Sequence, residues 1–136
     1  MHISLLPLRL ISAFLALATS LSAFEIEEHR RFGDESVQTL KILSTTDTDL
    51  LAPMINSFIE QNNGVAVDYT SVSSSELMKA VMLEGRQFDL AISSAMDLQI
   101  KLANDGFTIG HHSNAVDLIP EWGSWRDHVF AFSQEP

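Results

Sequence analysis

Leu40-Lys41-Ile42-Leu43-Ser44-Thr45-Thr46-Asp47-Thr48-Asp49-Leu50-Leu51-Ala52-Pro53-Met54-Ile55-Asn56-Ser57-Phe58-Ile59 holds the fold in miniature. Its first four residues read as a short strand. Leu50, Leu51, Met54, Ile55, Phe58 and Ile59 then recur at i, i+1, i+4, i+5, i+8 and i+9, one face of an α-helix. An unbroken run of hydroxyl and carboxylate side chains, 44–49, joins the two. Asp49 or Thr48 is the natural N-cap. Pro53 sits best in a first helical turn, which favours the later start. Asn62-Asn63-Gly64 ends the helix with a residue able to adopt positive φ.

The same unit recurs twice downstream. Residues 65–70 are strand-like and rich in β-branched side chains, and Ser71-Val72-Ser73-Ser74-Ser75 is a second hydroxyl run. Ser73 with Glu76 forms a capping box that opens a helix carrying Leu77, Met78, Val81 and Met82, closed by Gly85. Phe88-Asp89-Leu90-Ala91-Ile92 is nearly continuous in apolar residues, as in a strand covered on both faces. Ser93-Ser94 and a short helix over 97–104 follow, ended by Asp105-Gly106. Strand–helix alternation with short joins predicts an α/β fold with an open, mainly parallel sheet and helices on both faces. Beyond Gly106 the pattern weakens to a short extended piece at 107–109, a loop at 110–113, an aromatic connection at 120–125 and a last strand at 129–132.

Working outward to the N-terminus, residues 24–38 are polar and charged and read as a flexible acidic arm. Residues 1–23 read as an export signal. Arg9 precedes an apolar core, 10–18, and small residues follow at Thr19, Ser20, Ser22 and Ala23. Leu21-Ser22-Ala23 and Ala18-Thr19-Ser20 both serve as cleavage endings. The apolar stretch falls short of the roughly 20 residues a membrane span needs. The expected destination is outside the cytoplasm, as a soluble chain.

Composition removes several functions. The chain has 136 residues, 46% hydrophobic and 19% charged, which suits one folded domain rather than a disordered segment. Lys and Arg number 8 against 18 Asp and Glu, a net charge of −10 that argues against nucleic acid as a partner. With no cysteine there is no disulfide, thiolate metal site or thiol nucleophile. No phosphate loop, dinucleotide fingerprint, His-Glu-x-x-His or Gly-x-Ser-x-Gly is present. The expectation is a protein with no catalytic residue, no cofactor and no metal. His111-His112 reads as an exposed loop pair, and His29 with Glu25 and Glu28 as part of a solvated tail. Trp122 and Trp125 read as packing at a domain edge.

In an open parallel sheet ligands bind beyond the carboxyl ends of the strands. All three strands here end in hydroxyl runs that lead into helix N-termini, which suit anionic or oxygen-rich groups. Ser, Thr and Asp are also the usual helix caps, so any one run reads as capping. Three on one edge read as a binding surface. Asp47, Asp49, Glu76 and Asp97 lie near it and leave the sign of the ligand open.

These residues resemble a known family. Export signal, strand, Ser44-Thr45-Thr46-Asp47 and the helix with Pro53 and Phe58 are similar to the start of a bacterial extracellular solute-binding protein. Asp89-Leu90-Ala91-Ile92-Ser93-Ser94-Ala95-Met96-Asp97-Leu98-Gln99, then Lys101-Leu102 and Asn104-Asp105-Gly106-Phe107, resembles the iron-type or phosphonate-type branch serving ABC importers. Trp122, Trp125, Phe130 and Phe132 ahead of Glu135-Pro136 also resemble that branch. The resemblance spans about residues 40–136.

It implies a monomeric periplasmic protein with two α/β lobes closing on a small-molecule or ion solute, delivered to an ABC permease in the inner membrane. Thr45, Thr46, Ser73, Ser74, Ser94 and Ala95 would line the first lobe's half of the cleft. The chain stops where the second lobe should begin, so residues 39–136 are expected to be a truncated N-terminal lobe with the second lobe absent. Iron-binding relatives take paired tyrosines from that second lobe, and Tyr69 is the only tyrosine here. Two other functions compete. One is a periplasmic sensor feeding a two-component kinase. The other is a serine hydrolase, for which no histidine stands at a spacing that marks it as the base.

Overall fold

Ile42 and Leu43 are neighbours in sequence and enter different cores. Successive side chains of a strand point to opposite faces, so this pair marks a strand covered on both sides. The computed structural model describes residues 23–34 and 38–133. The signal expected over 1–23 lies, apart from Ala23, outside the described residues.

That strand is β2 (Gln38–Ser44), preceded by β1 (Glu28–Phe32). Helix α1 (Thr48–Gln61) leads to β3 (Val65–Ser71), α2 (Ser74–Met78) with a π-helical continuation (Lys79–Leu83), β4 (Leu90–Ile92) and α3 (Met96–Asn104). The main sheet runs β1-β3-β2-β4; β2 is parallel to β3 and β4, and β1 is antiparallel to β3. The chain thus steps from β2 to one side and then to the other. Ile42, Leu51, Ile55, Val67 and Tyr69 form the core under α1. Leu43, Val72, Leu77, Ala80 and Leu102 form the core under α2 and α3. This is the mixed α/β, mainly parallel architecture that the alternation predicts.

Several expectations are corrected. The arm expected over 24–38 is not free at Glu28–Phe32, because β1 pairs with β3 from Glu28 opposite Ser71 to Phe32 opposite Val67. Phe32 packs on the α1 core, and Arg31 reaches Asp68 of β3 at 2.9 Å. Arg30 bridges Glu28 at 2.7 Å and Asp49 of α1 at 2.8 Å. One apolar residue and two long-range ion pairs, to Asp49 and Asp68, hold the strand, a pattern with no local periodicity.

Helix α1 begins earlier than Pro53 suggested, with Asp47 at the N-cap position. Pro53 therefore lies in the second turn, where its missing N–H leaves the Asp49 carbonyl without its helical donor. Only part of the six-residue apolar face is covered. Leu51 and Ile55 are buried, while Leu50, Met54 and Phe58 are exposed. At the far end Asn62 Nδ2 donates to the Phe58 carbonyl at 2.8 Å, and Gly64 turns the chain with φ +89°.

One half of the expected capping box is seen at the start of α2, where Glu76 N donates to Ser73 Oγ at 3.3 Å, while the Glu76 carboxylate accepts from Glu25 N and Lys79. β4 is shorter than the apolar run 88–92, since Asp89 is drawn to β2: its Oδ2 accepts from Lys41 N at 2.8 Å. Residues 107–109 form no strand. The C-terminal part is a small hairpin, β5 (Ser124–Trp125) and β6 (Val129–Phe130), that packs against α3.

Candidate functional site

Register brings the three strand ends together. Ser44, the last residue of β2, is paired with Ser71 of β3 and with Ile92 of β4. The loops leaving these positions are cross-tied. Val72 N donates to the Ser44 carbonyl at 2.9 Å, and Thr45 N to the Ile92 carbonyl at 3.0 Å. Thr45 Oγ1 meets Ser93 Oγ at 3.0 Å, which joins the β2 loop to the β4 loop by side chains. Ser93 Oγ also accepts from Ala95 N at 3.1 Å, and Gln99 Nε2 donates to the Ser93 carbonyl.

The β2–α1 loop is fixed from beneath as well. Ser44 is fully buried, and its Oγ accepts from Thr46 N at 3.0 Å. Tyr69, also fully buried, donates its phenol to the Thr46 carbonyl at 2.7 Å. Burial pushes this phenol above its ordinary value near 10; the hydrogen bond with Ser44 opposes the shift, and the charges of Asp47 and Glu28 add to it. Tyr69 is thus a brace for the loop.

The six residues expected to face a solute divide by what their polar groups do. Thr45 and Ser73 are engaged within the protein: Thr45 with Ser93, and Ser73 as the cap of α2 and partner of Ser75 Oγ at 3.0 Å. The backbone N–H of Ala95 is taken by Ser93. Thr46 and Ser74 are half-buried and Ser94 exposed, and their hydroxyls make no hydrogen bond among the described residues. Ser93 and Ser44 were not singled out from sequence. Their signal was position, since each stands at the point where a strand stops and a loop needs tying.

Two nearby carboxylates are turned to other work. Asp49 pairs with Arg30, and Glu76 accepts from Glu25 N at 2.7 Å and pairs with Lys79 at 3.4 Å. Asp47 and Asp97 are exposed. The edge therefore offers hydroxyls with two acids, Asp47 and Asp97, that have no partner among the described residues, and suits a ligand rich in oxygen atoms or donors.

A shallow depression of about 250 Å³ sits at the opposite end of the strands, lined by residues that include Gln38, Leu40, Phe58 and Asp89. Among the described residues no group of three or more His, Asp or Glu is placed to hold a metal ion. His111 is tied by its backbone to the Asp127 carbonyl at 2.8 Å, and His128 Nδ1 meets Thr108 Oγ1 at 2.7 Å. Trp122 is two-thirds exposed, so it does not pack as an edge residue. Among the described residues no helix is long and apolar enough to cross a membrane.

No family model matches the chain, and no curated protein matches it. Among solved structures it is similar to the substrate-binding protein of an ABC transporter from Agrobacterium tumefaciens. The two share 33% identity with a TM-score of 0.69, over 74% of this chain. The match spans 32% of that protein's length.

Proposed function

We propose that this chain supplies one wall of a solute-binding cleft in the substrate-binding component of an ABC importer. It works in the periplasm, as a monomer, and passes a small molecule or ion to an inner-membrane permease. The run Ser93-Ser94-Ala95-Met96-Asp97-Leu98-Gln99 favours the iron-type or phosphonate-type branch. Thr46, Ser74 and Ser94 would touch the solute, and Thr45, Ser73 and Ala95 would shape the wall. The net charge of −10 speaks against nucleic acid as a partner.

One observation carries the reading. Three parallel strand ends, aligned at Ser44, Ser71 and Ile92, deliver the loops of those hydroxyls to one edge. Similarity to an ABC-transporter substrate-binding protein supports it. A lobe alone covers one side of a ligand, so binding is expected to be weak. The test is an amide-resolved NMR titration with ferric citrate, methylphosphonate, glycerol phosphate and spermidine, each by itself. The reading expects one of these to perturb amides of the β2–α1, β3–α2 and β4–α3 loops together. No response to any of the four, or a response confined to the depression around Gln38 and Phe58, would contradict it.

A further inference from the structure

We propose that the solute received at the strand ends is an organic cation with two or more ammonium groups, which pair with Asp47 on one side of the sheet and Asp97 on the other. This rests on the solute-binding reading and assigns the class of solute within it. Helices α1 and α3 cover opposite faces of the sheet, α1 packing with Ile42 and α3 through Leu102 with Leu43. Asp47 stands at the N-cap position of α1, and Asp97 in the first turn of α3. Both are exposed, and the Asp47 side chain makes no cap hydrogen bond.

The donors an anion needs are spent inside the protein. Thr46 N and Ala95 N go to the Ser44 and Ser93 hydroxyls, and Thr45 N, Val72 N and Met96 N go to backbone carbonyls. No Lys, Arg or His occurs over 42–78 or 87–100, the stretches that hold all three loops. Arg30 and Lys79 reach the neighbouring acids from outside, and each is paired, Arg30 with Asp49 and Lys79 with Glu76. What is left accepts hydrogen bonds: the two carboxylates, the hydroxyls of Thr46, Ser74 and Ser94, and the buried Thr48 Oγ1, which has no partner among the described residues. The N-termini of α1 and α3 oppose a cation with about half a positive charge each, less than the full negative charge of the carboxylate beside each one. A bare metal ion fits poorly, since among the described residues no group of three or more His, Asp or Glu could hold one. A chain with ammonium groups reaches acids on two helices, and each group brings three donors for the hydroxyls between them.

The four-compound NMR titration, run on the full chain, reads the class of solute. Spermidine should perturb amides of the β2–α1 and β4–α3 loops, and methylphosphonate, glycerol phosphate and ferric citrate should not. Asp47→Asn and Asp97→Asn should each raise the spermidine Kd about three- to fivefold, as for exposed ion pairs, and the double variant about tenfold or more. Both side chains are exposed, so the variants should fold. A loop response to any of the other three compounds overturns the cationic class and leaves the receiving edge standing. Silence of these loops towards all four overturns the edge itself. A spermidine response that Asp47→Asn/Asp97→Asn leaves unchanged overturns the pairing.

Discussion

The phenol of Tyr69 donates to the carbonyl oxygen of Thr46 across 2.7 Å, from the middle of one strand to the loop that follows another. Twenty-three residues separate them in sequence. This contact holds the β2–α1 loop over the sheet edge, so Tyr69→Phe should leave the fold intact and cost about 1 kcal/mol, read from chemical denaturation. The pH dependence has a defined sign. Burial favours the neutral phenol, so its folded pKa lies above the unfolded value of about 10. The stabilisation is complete below about pH 10 and is lost as pH rises through the folded value. Wild-type protein should therefore lose more stability above pH 10 than Tyr69→Phe does. Parallel pH profiles would contradict the placement of this group.

Thr45 and Ser93 join the β2 and β4 loops by a hydroxyl pair at 3.0 Å. A double-mutant cycle with Thr45→Val and Ser93→Ala should give a coupling of about 0.5–1.5 kcal/mol. Additive effects would mean that the loops are held independently.

Strand β1 is attached through its charges. Asp68→Ala leaves the half-buried Arg31 without its 2.9 Å partner and should cost about 1–2 kcal/mol. Hydrogen exchange of the β1 amides should accelerate in that variant more than exchange in β2. Unprotected β1 amides in the wild-type chain would restore the picture of a free arm.

Pro53 interrupts the second turn of α1 at an exposed position. Pro53→Ala restores a donor to the Asp49 carbonyl and should raise stability by about 1–3 kcal/mol, measured as a shift in denaturation midpoint. A loss of stability would mean that the helix starts later than Thr48.

Much of the parallel core was legible in the sequence because it rests on local rules. The Ser73 cap on Glu76 N, the turn at Gly64 and the apolar run at Leu90-Ala91-Ile92 each announce themselves within a few residues. Strand β1 was illegible because Arg30, Arg31 and Phe32 find their partners far along the chain. The helical face was read too wide, since periodicity places Leu50 and Leu51 side by side and packing covers only one of them. At the candidate site, position after a strand marked the right loops. It did not tell which hydroxyls those loops consume: Thr45 and Ser73 are spent on the protein's own ties, while Thr46, Ser74 and Ser94 are not.

The most direct test of the receiving edge removes those three open hydroxyls together. In Thr46→Ala/Ser74→Ala/Ser94→Ala, thermal stability should stay close to wild type, because none of the three hydroxyls makes a hydrogen bond among the described residues. The amide response to the active solute of the four-compound titration should vanish. An undiminished response in the folded triple variant would contradict the claim that these strand ends receive the solute.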